Sequence, residues 1–154
     1  MQLWRICAEI HARDVDGGFG LLNDGRWNFK GRPLTYTSTA PSLCILEKLV
    51  HVVDPAILPV QVLVTYDVPD TLFAEKVDPA LLPPHWRKDE GLTQQIGTHW
   101  LDGMSAALLH VPSVIVSDPD HNVLINNLHP AAKLISIRSV DAYTFDPRLL
   151  VSRP

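Results

Sequence analysis

Apolar and polar positions change their period several times along the chain. Residues 2–10 interleave apolar and charged side chains, which predicts an edge or half-buried strand. Residues 60–68, VQVLVTYDV, are rich in β-branched side chains and predict the clearest strand of the chain. Between these two, residues 33–38 (PLTYTS) predict a short strand. Ser38 or Thr39 can then cap a helix that carries Pro41 in its first turn, where a missing N–H does no harm. That helix is predicted over roughly 41–53 and is stopped by Asp54-Pro55. At about 100° per residue, Leu43, Ile45, Leu46, Leu49, Val50 and Val53 share one broad face.

Residues 13–25 are rich in Asp, Asn and Gly and predict a loop, and residues 69–86 are Pro-rich and predict irregular chain with short turns. A second helix is predicted over 93–101, ended by Asp102-Gly103. Residues 106–116 are apolar but interrupted by Pro112, which implies an edge strand or a bulge, and bulges gather beside active sites. Residues 122–130 predict a turn-rich loop, and residues 134–145 one strand or two. The near-repeat of DPAILP at Asp54 and DPALLP at Asp78 reads as an Asp-Pro turn or helix start used twice, since no third copy keeps the interval. The pattern is that of an α+β domain, a single unit over 1–154 with no boundary signal.

Composition narrows the function. A chain of 154 residues can bury a sizeable core, and 46% apolar with 19% charged residues is ordinary for a globular protein. The formal charge of −4, with no concentration of Lys and Arg, lacks the electrostatic footprint of a nucleic-acid binder. The two cysteines, Cys7 and Cys44, lie far apart in sequence and predict reduced thiols in a cytoplasmic protein. The N-terminus turns polar too soon for a signal peptide, and no apolar run reaches the length of a membrane span.

Most candidate motifs yield to a structural reading. Gly17-Gly18-Phe19-Gly20 lacks the Lys-Ser/Thr of a phosphate-binding loop. His121 and His129 have neither metal-ligand spacing nor a carboxylate partner. Asp118, Asp120 and Asn122 alternate like the opening of a calcium loop, but Pro119 and the lack of a closing Glu favour a hairpin turn. None of Ser42, Ser105 and Ser113 lies between the two glycines of a nucleophile elbow. Glu47 sits at the margin of the helical apolar face, where it could pair with His51 at i+4 or stand as a partly desolvated carboxylate at the lip of a cleft. Arg26 in a turn and Tyr36 in a short strand are equally open. Periodicity does not choose between these readings.

Several blocks in this order resemble the RES domain family. They are Trp4-Arg5-Ile6, Gly25-Arg26-Trp27-Asn28, Gly31-Arg32-Pro33, Tyr36-Thr37-Ser38, Ser42-Leu43 with Leu46-Glu47, Leu82-Pro83, Trp86, Gly97-Thr98-His99-Trp100-Leu101, Val111-Pro112-Ser113, Asn122-Val123-Leu124-Ile125-Asn126 and Phe145-Asp146-Pro147-Arg148-Leu149. The resemblance covers nearly the whole chain. Asn127, where the family usually has Pro, and Asn23-Asp24, where a second glycine is common, depart from it.

The resemblance implies a fold similar to the ADP-ribosyltransferases and the role of toxin in a toxin–antitoxin pair. It implies that NAD is degraded at the nicotinamide–ribose bond, by hydrolysis or with phosphate, as a consumed substrate and with no metal or cofactor. A minority of relatives look like protein ADP-ribosyltransferases, and a non-catalytic co-regulator is the remaining alternative. The implied partner is an Xre-type helix-turn-helix antitoxin, which would carry any contact with DNA. Carried onto this chain, the expected catalytic residues are Arg26, Tyr36, Glu47 and Ser113, with Arg26, Tyr36 and Ser113 also binding NAD. Glu47 would stabilise the cationic sugar, Arg26 grip the diphosphate, Tyr36 face the nicotinamide, and Ser113 bind substrate or hold Glu47.

Overall fold

The computed structural model describes residues 1–13, 16–52, 54, 57–116 and 119–150. Among the described residues seven strands form one sheet: β1 (Gln2–Ala8), β2 (Leu34–Ser38), β3 (Gln61–Asp67), β4 (Ala74–Lys76), β5 (Leu108–Val111), β6 (Asn122–Asn126) and β7 (Ser136–Tyr143). Their order is β4-β5-β6-β2-β1-β3-β7, and every pairing is antiparallel except β4 with β5. Among the described residues three α-helices complete the α+β architecture: α1 (Gly18–Leu22), α2 (Pro41–Leu49) and α3 (Glu90–Gly103).

Strand side chains alternate between the two faces of the sheet, so each face builds its own core. One core gathers Leu3, Cys7, Val62, Val64, Tyr66, Leu108, Val123 and Ile125. The other takes the intervening positions Leu34, Leu109, Val111 and Leu124 and covers them with Trp27, Trp86, Trp100 and Leu101. Tyr36 packs against this second core, and Ser38 and Asn122 continue the same alternation along paired strands.

The structure departs from the sequence pattern in instructive places. β1 lies in the middle of the sheet between β2 and β3, not at an edge; its mixed polarity reflects half-burial on one face. Residues 122–126 form β6, a buried strand paired on both sides, where the pattern predicts a loop; flanking asparagines mask the apolar Val123-Leu124-Ile125 between them. Residues 18–22 form α1 instead of loop. It presses so closely on β2 that a Cβ at Gly17, which has φ 68°, would meet the Leu34 nitrogen at 2.3 Å. Pro112 neither places β5 at an edge nor bulges it: β5 ends at Val111 with neighbours on both sides.

Helix α2 begins at Pro41 as expected but ends at Leu49. Leu43 and Cys44 are its buried positions, whereas Leu46 and Val50 are exposed, so the apolar face is narrower than the pattern implies. Val53 and Pro55 lie outside the described residues. Helix α3 starts three residues before the expected Thr93, because the Asp89 carboxylate accepts from the Leu92 N–H and caps it. Asp78 of the second Asp-Pro likewise caps a single 3₁₀ turn through the Ala80 N–H.

Candidate active site

Glu47 projects from the last turns of α2 and meets residues 66 and 75 positions away. Its Oε1 accepts the Ser113 hydroxyl at 2.8 Å and the Asn122 side-chain amide at 2.7 Å. Ser113 follows the Pro112 break after β5 and is 2% exposed. Its Oγ accepts the N–H groups of Ile115 and Val116 at 3.0 and 3.2 Å, the side-chain-to-backbone turn that a Ser after a strand end readily makes. Asn122 opens β6 opposite Ser38 of β2, whose hydroxyl donates to the Asn122 Oδ1 at 2.6 Å. The i+4 pairing with His51 is not the arrangement adopted: the carboxylate turns to the sheet.

Tyr36 lies two residues before Ser38 on β2, hence on the same face. Its hydroxyl donates to the Asn28 Oδ1 at 2.7 Å and accepts the Trp27 N–H at 3.0 Å, and its ring meets Phe19 edge-on at 5.9 Å. Burial pushes the phenol well above its ordinary range, with the Trp27 N–H opposing the shift, so the ring stays neutral.

Arg26 precedes Trp27 in the same tight turn. Its Nη2 donates to the Trp86 and Arg87 carbonyls, and Nη1 approaches Glu90 at 3.4 Å, while Nε is buried and bonds no described residue. The turn is clamped by one face of α3. Thr93 Oγ1 donates to the Arg26 carbonyl at 2.7 Å, Gln94 to the Gly25 carbonyl at 3.0 Å, and Thr98 accepts the Phe29 N–H at 3.0 Å. At Gly97 a Cβ would lie 1.9 Å from the Trp27 carbonyl oxygen, so glycine lets the helix touch the turn directly.

The four expected residues thus fall into two networks on one sheet face. Glu47 and Ser113 are bonded to each other. Tyr36 joins the turn bearing Arg26, and β2 links the two groups through Ser38 and Asn122. The Arg26 guanidinium spends its hydrogen bonds on the Trp86–Glu90 segment rather than on Glu47 or Tyr36. A cavity of about 390 Å³ lies elsewhere, between the start of β1, the end of β3 and Ser136.

Sequence reasoning misses the roles of Asn122, Ser38 and Asn28: it weighs Asn122 only in the calcium-like alternation and Ser38 only as a helix cap, whereas the cap position is Ala40 with no side-chain cap bond. The signal that could have found them is their place within the blocks Asn122–Asn126, Tyr36-Thr37-Ser38 and Gly25–Asn28. Among the described residues no three His, Cys, Asp or Glu side chains group as metal ligands. His121 instead pairs with His110 at 2.6 Å, and His129 accepts the Ala131 N–H. Asp118 of the calcium-like pattern lies outside the described residues. Among the described residues no helix is long and apolar enough to cross a membrane. Cys7 and Cys44 are both buried and carry no disulfide. The Cys44 thiol donates to the Trp4 carbonyl, and burial pushes it up to about 11.

A model of the RES domain matches residues 2–147. The chain belongs to the RES domain family. Toxin Res of Pseudomonas putida is 40% identical over 97% of this chain and 99% of its own length. The Prs ADP-ribosylating toxin of Sphingobium sp. is 34% identical over 96% of this chain and 95% of its own. The fold is shared with a chain in the crystal structure of the M. tuberculosis MbcT–MbcA toxin–antitoxin complex. That match has a TM-score of 0.67 and 17% identity, and covers 93% of this chain and 84% of the other. By family and relatives this RES protein is a toxin.

Proposed function

We propose that this RES toxin degrades NAD by cleaving the bond between nicotinamide and ribose. The bond's electron pair leaves with the pyridine nitrogen, so the leaving group departs neutral and the ribose takes up positive charge. Such an oxocarbenium-like transition state is stabilised by a fixed carboxylate close to the sugar, more strongly than the ground state is. The observation that carries the reading is Glu47: a half-buried carboxylate held through one oxygen by Ser113 and Asn122, on the sheet face that also presents Tyr36.

In this reading Glu47 stabilises the ribosyl cation and Ser113 holds Glu47. The neutral Tyr36 ring borders the nicotinamide. Arg26 lends positive charge and its remaining Nη1 hydrogen to the diphosphate while anchoring the Trp86–Glu90 wall. Water or phosphate supplies the oxygen that bonds to the anomeric carbon. An antitoxin partner, by analogy with the toxin–antitoxin complex of similar fold, would cover this face and carry any DNA contact.

The name of the Sphingobium relative favours a second reading, in which ADP-ribose passes to a protein. NAD labelled in its adenylate half separates the two. Labelled ADP-ribose, or its 1-phosphate when phosphate is added, supports degradation. A discrete labelled protein band in lysate supports transfer. Intact NAD under all conditions rejects both.

A further inference from the structure

We infer that Asn122, oriented by Ser38, is a positioning residue that decides which oxygen of Glu47 meets the substrate; the inference deepens the NAD-cleaving reading and rests on it. The direction of each hydrogen bond can be worked out. Ser113 Oγ already accepts two backbone N–H groups, from Ile115 and Val116, so its own proton must point at Glu47 Oε1. The Asn122 amide has only one sensible orientation. Its Oδ1 takes the Ser38 proton at 2.6 Å, and its Nδ2 is thereby turned to the same Oε1 at 2.7 Å. The reversed amide would set an oxygen lone pair against the carboxylate and leave two donors facing the Ser38 hydroxyl.

Two donors therefore converge on Oε1, and no described residue bonds Oε2. An oxygen that accepts two short hydrogen bonds is a poor site for a proton and has no lone pair to spare for a ribose hydroxyl. Oε2 is left as the working oxygen, and the carboxylate plane is locked from two adjacent strand ends, Ser113 just after β5 and Asn122 at the start of β6. Ser38 is 3% exposed and contributes only through Asn122, as an orienting hydroxyl at the end of β2.

Asn122→Asp tests this with little change of shape. The Ser38 bond can persist, but a second carboxylate then replaces the donor beside Glu47, and two carboxylates at this range hold a shared proton. Other titratable groups lie near, His51 one helical turn on among them. Cys44, three residues before Glu47, stays a thiol because burial raises it to about 11. His110 and His121 sit just beyond Asn122, and His110 is pushed down to about 4, where it could mimic an acid limb. The titration is therefore read at Glu47 itself, from the ¹³C shift of its carboxyl carbon in the folded protein.

In Asn122→Asp the Glu47 titration should move up by about one pH unit or more relative to wild type. The acid limb of kcat/KM for NAD should follow it, with kcat falling about tenfold or more at pH 7 and KM changing less than about threefold. Ser38→Ala, which frees the amide to turn, should lower kcat by a smaller factor with the same pattern. A Glu47 titration that does not move in a folded Asn122→Asp overturns the inference. A moved titration in the variant together with wild-type protein that leaves NAD intact sinks the NAD-cleaving reading and keeps the positioning network.

Discussion

Glu47 shows at the scale of one residue what a sequence can and cannot say. Its place at the margin of the α2 apolar stripe is legible, because helical periodicity sets it beside Leu43. Its partners are not, because Ser113 and Asn122 are brought to it only by the sheet order. Arg26 differs in kind. Resemblance marks it as a phosphate grip, and in the fold it also ties down the Trp86 and Arg87 carbonyls. Arg26→Ala should therefore lower Tm by a few degrees, since the part-buried Trp86 carbonyl left without its donor costs about 1–3 kcal/mol while water can replace the donor at the exposed Arg87 carbonyl. Thermal melting checks this. An unchanged Tm would show that the two carbonyl contacts add nothing, and only then could lost activity in that variant be read as purely catalytic.

At the scale of elements, the strands with β-branched runs and the Pro41 helix start are readable, because local chemistry fixes them. β6 and the true length of α3 are not. Asn at both ends of a three-residue apolar strand looks like a turn until burial on both sides overrides it, and the Asp89 cap lies within a polar stretch. The contact between α3 and the Arg26 turn is a tertiary fact hidden in one glycine. Gly97→Ala should destabilise by about 1–3 kcal/mol, seen as a Tm lower by roughly 3–10 °C, because a Cβ has no room against the Trp27 carbonyl. A Tm equal to wild type would show that the helix can shift without penalty.

The joint of β5 and β6 carries a second consequence. The His121 Nδ1 lies 2.9 Å from the Pro119 carbonyl and so carries a proton, which makes its Nε2 the acceptor for the His110 Nδ1–H at 2.6 Å. Burial is the main cause that depresses His110 to about 4 from 6.5, and the positive charge of Lys76 adds to it. The folded state thus binds this proton less readily than the unfolded chain. Its contribution to stability is present above pH 6.5 and is lost as pH falls from there toward 4. His110→Asn, which keeps a donor for His121, should flatten the fall of Tm between about pH 7 and pH 4.5. Equal slopes in variant and wild type would refute this account of the pair.

For the whole molecule, the proposed division leaves any DNA contact to an antitoxin, which suits a chain with a formal charge of −4. A sheet with a core on each face lets one face carry polar groups at its end without losing stability. Tyr36, Ser38 and Asn122 occupy that end, and α2 brings Glu47 over it. The alternation that separates the two cores is visible in each strand. Which strands lie side by side is not, because β2 pairs with β1 and β6 through contacts as distant in sequence as Leu34 with Asn126.

The most direct measurement is nicotinamide release from NAD by the purified wild-type chain and by Glu47→Gln, with and without phosphate, alongside their melting curves. The substituted amide retains an oxygen for Ser113 and Asn122, so the two proteins should melt within about 2 °C of each other while release falls more than about 100-fold, close to 3 kcal/mol of barrier. Equal release by the two folded proteins, or none from wild type under either condition, would contradict the account.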